Sequence, residues 1–323
     1  MDTTPRKVMT FTWGEVCENG PGMQKIGKIG DVGYSLDDLE RVKKHFTDNG
    51  CECILHNLKD YLIDNDADDA YVLIIKSSIK VLLENTSYTS DDFLYEQIGL
   101  EWDKKAVFRG SVKNKLARHN LCYADYSQEP DYQKLKGRIY NYNELPIFNC
   151  IQKKIKEILK EDLFCEGNYY YDLENNNVCG IGYHGDTERR KVIGLRVGGT
   201  MNLNFSWFQN CCGVGEVAEF SLSDGDMYIM GAKSVGTDWK KRNILTLRHS
   251  AGLPNSKYLV RKEIGDDEKK EKLKTNKLFE KEEKRLEDIK KRQERIKIIL
   301  KKLNIEDQQK ILIDILNNLK NED

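Results

Sequence analysis

The chain has 323 residues, enough for one large domain with additions. Its formal net charge is −1 with 33% charged residues, so no overall basic field indicates a nucleic-acid-binding protein. The nine cysteines form no CxxC pair, which predicts reduced thiols rather than a disulfide framework or a zinc site. The sequence shows no apolar run of membrane-spanning length and no signal-peptide core. We therefore expect an intracellular protein, cytoplasmic or nuclear, with no membrane association.

Residues 1–95 are predicted to form an N-terminal α/β segment. The predicted elements are two strands, Val8–Trp13 and Ala70–Ile75, and two helices, Ser35–Thr47 and Ser78–Glu84. Ser35 is a favourable N-cap, and Asp38 follows it three residues later in the position that completes a capping box.

Residues 96–254 are predicted to form a second domain, which begins with a region rich in tyrosine and basic residues. Helical spacing of isoleucines and leucines predicts a helix at Phe148–Leu159. Beyond Asn168 the pattern changes to short strands separated by glycine and aspartate turns. The predicted strands are Val178–Tyr183, Lys191–Val197, Met201–Phe208, Glu216–Leu222, Asp226–Met230 and Asn243–His249. Six such strands predict a double-stranded β-helix, or jelly roll.

Residues 255–323 are dominated by lysine and glutamate and are predicted to form a charged helical tail. Apolar residues follow a three-four spacing that indicates a solvated helix with a coiled-coil seam. They are Leu286, Ile289, Ile296, Leu300 and Leu303. We expect this tail to bind a protein partner or a second copy of the chain, or to dock on its own domain. The predicted fold class is thus α+β, with a jelly-roll core between the α/β segment and the tail.

A His-x-Asp motif and two later arginines carry the chemical signal. His184 and Asp186 stand two residues apart at the end of a predicted strand, so both side chains can hold adjacent positions on Fe(II). Arg242 and Arg248 are six residues apart in a later predicted strand, where they share a face and can clamp a carboxylate. This combination is typical of non-haem iron oxygenases that use 2-oxoglutarate.

Residues 96–252 resemble the AlkB-like family of 2-oxoglutarate- and iron-dependent dioxygenases, particularly forms carried by large DNA viruses. The matching pieces are Asn168-Tyr169-Tyr170, Tyr183-His184-Gly185-Asp186, Gly225-Asp226-Met227 and Arg242 through Arg248. The resemblance implies Fe(II) and 2-oxoglutarate as cofactors. It implies that iron is bound by His184 and Asp186, and 2-oxoglutarate by Asn168, Tyr170, Arg242 and Arg248. It also implies a substrate lid in residues 96–147, where Arg118 and Tyr123 match the family's lid motif.

One expected ligand is missing, because the family places a second metal-binding histidine in the stretch that corresponds to residues 231–241, and this chain has none there. We take Asp238 as the first hypothesis for the third ligand. The alternative is His249, although it directly follows Arg248 and is predicted to face the other side of that strand. In a variant of this alternative, Arg261 replaces Arg248 as the carboxylate clamp. In a further hypothesis the metal site is degenerate.

These residues predict an enzyme, a 2-oxoglutarate- and Fe(II)-dependent dioxygenase. The resemblance implies that it hydroxylates or demethylates a modified base in DNA or RNA, which must be single-stranded or flipped out because a duplex hides the target atom. Hydroxylation of a protein side chain is one alternative. The other is a metal-degenerate jelly-roll module that binds a partner without catalysis.

Overall fold

The computed structural model describes residues 7–62, 67–173 and 179–252, and shows a mixed α+β fold with mostly antiparallel strands. The helices are α1 (Leu36–Asp48), α2 (Ile79–Leu82), α3 (Ser90–Ile98) and α4 (Pro146–Leu159). The first nine strands are β1 (Val8–Gly14), β2 (Val16–Glu18), β3 (Lys25–Gly27), β4 (Cys53–Asn57), β5 (Tyr71–Ile75), β6 (Lys105–Phe108), β7 (Ser111–Asn114), β8 (His119–Ala124) and β9 (Ile139–Asn141). The later strands are β10 (Phe164–Tyr170), β11 (Ile181–His184), β12 (Val192–Gly198), β13 (Met201–Gln209), β14 (Cys212–Leu222), β15 (Met227–Met230) and β16 (Thr246–Ala251).

Eight strands form a large sheet in the order β4-β5-β15-β12-β1-β10-β8-β9. Neighbouring strands are antiparallel, except that β8 and β9 are parallel. β1 lies inside this sheet, with every residue buried and with hydrogen-bonded partners on both sides, β10 and β12. Because side chains alternate along a strand, β1 presents Met9, Phe11 and Trp13 on one face and Thr10 and Thr12 on the other.

The helices cover the apolar face of the large sheet. Phe11 and Trp13 pack there against Phe148 of α4, and Tyr123 of β8 stacks on the same ring with centroids 4.3 Å apart. α1 begins as predicted, because the side chain of Ser35 accepts from the backbone of Asp38 and the Asp38 carboxylate accepts in return.

A small sheet, β11-β16-β13-β14, packs on the opposite face of the large sheet. Leu203, Phe205 and Trp207 of β13 form its apolar contact with residues of β5, β12 and β15, including Val72 and Tyr228. Beside this contact the facing surfaces carry both polar and apolar residues, and they enclose a cavity of about 650 Å³. From β10 onward the chain passes between the sheets, with β10, β12 and β15 in the large one and β11, β13, β14 and β16 in the small one.

The predicted boundary at residue 95 does not divide the fold. β1, β4 and β5, all from the predicted N-terminal segment, share the large sheet with β8, β10 and β12. The described residues, from 7 to 252, accordingly group as one compact unit. The pairing of β1 with β10 joins residues 150 or more positions apart, which local sequence patterns do not reveal.

Most of the predicted helices and strands are present with bounds shifted by a few residues, and all nine cysteines are free, as expected. The last predicted strand begins later than expected, at Thr246. The predicted helical tail, residues 255–323, lies outside the described residues. Within the part of the chain that the structure describes, no helix is long and apolar enough to cross a membrane.

Candidate metal centre

Two histidines are brought together by the pairing of β11 with β16. Ile181 lies opposite Ala251, and His184 lies opposite His249. Three steps along β11 therefore match two along β16 (184 − 181 against 251 − 249), so β11 contains one extra residue, a β-bulge. Without this bulge His184 would lie opposite Arg248. With it, the two imidazoles share a face, with ring centroids 4.4 Å apart.

Asp186 completes the group just beyond the end of β11. Its backbone N–H donates to the carbonyl of Val235 at 3.0 Å, which fixes the chain after His184. Asp186 Oδ1 lies 3.7 Å from Nε2 of His184 and 3.8 Å from Nε2 of His249. The three side chains line the cavity between the sheets, and one ligand atom from each lies within 4.8 Å of the others.

These distances and the state of the imidazoles fit a divalent metal ion. Two ligand atoms each about 2.1 Å from one ion are about 3 Å apart at a right angle and about 4.2 Å apart when opposite, and the two measured separations fall in that range. Nδ1 of His184 bonds to the carbonyl oxygen of Gly182 at 2.8 Å, which leaves Nε2 to face Asp186. Burial, with the charges of His184 and Arg189, holds the pKa of His249 well below its ordinary value, so its imidazole is neutral.

A buried arginine orients the carboxylate of this group. Arg189 Nε lies 3.4 Å from Asp186 Oδ2, and its terminal nitrogen donates to the Glu166 carboxylate at 2.8 Å. Oδ2 is therefore engaged by the guanidinium while Oδ1 faces the imidazoles. Burial opposes ionisation of Glu166, but the adjacent Arg189 holds the pKa of that carboxyl below its usual value. Arg189 and Glu166 are thus both charged in the protein interior, and this ion pair holds Arg189 beside the candidate ligand Asp186.

The structure brings His249, and not Asp238, to the candidate ligands. Asp238 forms an ion pair with Lys233 at 3.0 Å, outside the group of three. Arg248 and His249 lie on opposite faces of one strand, as predicted. The cavity face is the one that carries His249, whereas the prediction placed Arg248 there.

The predicted carboxylate clamp is not assembled as expected. Arg242 is exposed and precedes β16, so it does not share that strand with Arg248. Arg248 faces away from the cavity, with its guanidinium 4.2 Å from the ring centre of Phe208 and 5.3 Å from that of Trp239. Neither arginine lines the cavity. Arg261, the alternative clamp, lies outside the described residues.

Asn168 and Tyr170, the other predicted co-substrate residues, are buried and line the cavity. Asn168 Oδ1 accepts from Nε of Arg118 at 2.5 Å, which ties the predicted lid to the cavity wall. Sequence reasoning missed Arg196 of β12, which is 1% exposed and lines the same cavity. The available signal was a single charged residue within the apolar strand Val192–Gly198.

No family model matches this chain. It is 41% identical over 254 residues to a protein of Acanthamoeba polyphaga mimivirus, described as uncharacterized protein R156. The alignment covers 77% of this chain and 97% of the mimivirus protein. The chain therefore belongs to one family with that viral protein.

Proposed function

We propose that this protein is a metal- and 2-oxoglutarate-dependent dioxygenase. The observation that carries the proposal is the convergence of His184, Asp186 and His249 in one cavity between two sheets. Two imidazoles and one carboxylate on one side of an ion, with its other positions open, are the ligand set of non-haem Fe(II) oxygenases. The second imidazole whose absence motivated the binding-module hypothesis is supplied here by His249.

The strand arrangement supports a jelly-roll core for this enzyme. β15, β12, β1 and β10 of the large sheet face β11, β16, β13 and β14 of the small sheet, which makes eight strands in two sheets. Seven of them, β10 to β16, follow one another in the chain. The eighth position, between β12 and β10, is taken by the N-terminal strand β1. In this interpretation the first strand of the chain completes the barrel.

The roles of the chain's own residues follow from their positions. His184, Asp186 and His249 would hold Fe(II), and Arg189 would keep the carboxylate turned so that one oxygen faces the ion. When bound, iron and 2-oxoglutarate would activate dioxygen: one oxygen atom would enter succinate as 2-oxoglutarate loses carbon dioxide, and the other would be inserted into a substrate C–H bond. Val192, Leu203 and Met230 form apolar walls of the cavity and exclude water from the reacting groups.

Nucleic acid is the substrate class that the surface beside the cavity favours. The segment Lys104–Arg118 contains six basic residues and no acidic one; they are Lys104, Lys105, Arg109, Lys113, Lys115 and Arg118. It folds as the β6–β7 hairpin, whose Phe108 is 58% exposed with the guanidinium of Arg109 5.2 Å from its ring centre. A local basic ribbon with an exposed aromatic ring suits phosphate contact and base stacking, even in a chain of near-zero net charge.

This hairpin is fixed to the loop that borders the cavity. Lys115 Nζ donates to the backbone oxygen and to Oδ1 of Asn19, each at 2.7 Å, and Val107 N–H donates to Met23 Sδ. Gly20 and Pro21, between these anchors, line the cavity. A strand bound along the hairpin would therefore pass beside the opening that leads to the metal centre. A base on that strand would reach the centre only when unpaired or flipped out.

Activity is tested by measuring succinate formed from 2-oxoglutarate with Fe(II) and ascorbate, with and without single-stranded oligonucleotides that carry methylated bases. His184→Ala and His249→Ala should abolish turnover, whereas Asp238→Ala should retain it. An absence of both metal uptake and succinate from the wild-type protein would contradict the proposal and favour the binding module.

The nucleic-acid assignment has a separate test. Binding of a fluorescent single strand should lose up to about two units of salt slope when Lys105, Arg109 and Lys113 are all replaced by alanine, because each lost phosphate contact removes about 0.7. Alanines at Lys44, Lys80 and Lys153, on the helices of the opposite face, are the matched control. An active enzyme whose hairpin variant binds oligonucleotide like the wild type would favour a protein substrate.

A further inference from the structure

A row of polar side chains crosses the cavity face of the large sheet. Arg196 of β12 lies directly opposite Thr10 of β1, which lies opposite Asn168 of β10. Arg196 Nη1 donates to Thr10 Oγ1 at 2.5 Å, and Nη2 donates to the carbonyl of Met201 at 3.4 Å. Asn168 has its own partners, the side chains of Arg118 and Asn120. The row thus ends, on the β12 side, in a guanidinium held only by neutral groups.

The charge of Arg196 is buried without compensation by any described residue. The side chain is 1% exposed, its Nε has no hydrogen-bond partner, and no aspartate or glutamate of the described ranges pairs with it. The Asp226 carboxylate interacts electrostatically with Arg196, but it is itself paired with Lys76 at 2.8 Å. Burial lowers the pKa of the Arg196 guanidinium. A buried cation without an anionic partner is costly, so its presence in a cavity wall points to an anion that arrives from outside.

Two other arginines near the cavity already bind protein side chains. Arg189 is held between Glu166 and Asp186. Arg118 is only half-buried and donates its Nε to Asn168. Arg196 is therefore the described arginine whose charge is fully buried, faces the cavity and has no carboxylate.

We propose that Arg196, with the Thr10 hydroxyl beside it, binds the far carboxylate of a dicarboxylic 2-oxo acid whose other end reaches the metal centre. This inference rests on the proposed function and adds the residues that select the co-substrate. Tyr170 and Tyr228 line the same part of the cavity and offer hydroxyl groups near the bound carboxylate. Because Thr10 lies on β1, the N-terminal segment acquires a role: it builds one wall of the co-substrate subsite.

The test compares two ligands that differ only in the far group. Protein loaded with Mn(II), which uses the same ligand types as Fe(II), is titrated calorimetrically with 2-oxoglutarate and with 2-oxopentanoate, which ends in a methyl group. We expect wild-type protein to prefer 2-oxoglutarate by at least about 30-fold, the loss typical of removing one partner of a buried charge pair. In Arg196→Met the two ligands should bind equally, while Mn(II) affinity is unchanged. Arg196→Lys should retain part of the preference.

Two comparators and one stability measurement make the outcome decisive. Arg118→Met and Arg242→Met should keep the preference for 2-oxoglutarate. Arg196→Met should unfold without ligand at the same temperature as wild type or higher, because an uncompensated buried charge has been removed. A preserved preference in Arg196→Met, or its collapse in Arg118→Met, would overturn the inference while leaving the proposed function intact. A wild-type protein that takes up no Mn(II) would instead overturn both.

Discussion

Substitution of Gly185 tests how tightly the candidate metal centre is built. Gly185 lies between His184 and Asp186, and its Cα packs against the loop of residues 231–239. A Cβ at this position would lie 2.0 Å from the carbonyl oxygen of Gly236 and 2.9 Å from Cβ of Trp239. Ordinary contact begins near 3.4 Å, so the two backbones must separate by about 1.4 Å (3.4 − 2.0). The same loop holds the backbone of Asp186, so this separation displaces a ligand.

We expect Gly185→Ala to lower the free energy of unfolding by about 1–3 kcal/mol, as overpacking of a close contact does. Its Mn(II) affinity should fall at least about tenfold, because metal sites tolerate only about 0.2 Å in ligand distances. The matched control is Gly182→Ala in β11, the strand that ends just before Gly185, where an added Cβ meets no atom within 4 Å. Urea unfolding of the metal-free proteins and calorimetric titration with Mn(II) measure the two effects. Wild-type values for Gly185→Ala, or equal losses in both variants, would refute the reasoning.

Three further outcomes are expected. Asp238→Ala should leave Mn(II) affinity within about twofold of wild type in the same titration, because Asp238 pairs with Lys233 outside the ligand group; a larger loss would restore it as a ligand. Arg189→Met should lower the free energy of unfolding by about 3–5 kcal/mol near pH 7, since it leaves the Glu166 carboxylate buried and unpaired. This loss should become smaller toward pH 5 as Glu166 takes up a proton. A loss in urea unfolding that does not depend on pH would contradict the pairing. Burial and the charge of Glu188 raise the pKa of Glu18 from 4.5 to about 7, so the folded state holds a proton that the unfolded chain has lost. Stability should therefore fall as pH rises between these values, by about 1–2 kcal/mol after solvent screening, and Glu18→Gln should flatten that thermal-unfolding profile.

His184 and Asp186 could be predicted as neighbours in space because residues two apart on a strand share a face. The same rule did not identify His249 as their partner. Which side of β16 faces the cavity depends on its register with β11, and that register contains an extra residue. Beyond a bulge, each side chain of the strand points to the face of the sheet opposite to the one predicted from simple alternation. The local sequence of β16, with Arg248 and His249 adjacent, is compatible with either choice.

The role of residues 1–95 could not be predicted from the sequence, for a different reason. Val8–Gly14 reads locally as a buried strand, and the structure confirms this. Its neighbours β10 and β12 are contributed by residues 150 or more positions away, and the residue pattern of a strand does not indicate which strands it pairs with. A polar pair of threonines within this apolar strand was the available signal that one face meets a cavity.

The position of β1 also bears on the choice between Arg261 and Arg196 as the residue that anchors the far carboxylate. The hypothesis that Arg261 is the clamp requires a further strand after β16 to enter the large sheet between β12 and β10. That position is filled: β1 is hydrogen-bonded along both edges, to β10 over seven residue pairs and to β12 over six. Among the described residues, an anchor that faces this part of the cavity comes from β1 or from a strand beside it. β1 offers Thr10 and Thr12, which carry no charge, and the adjacent strand β12 offers Arg196.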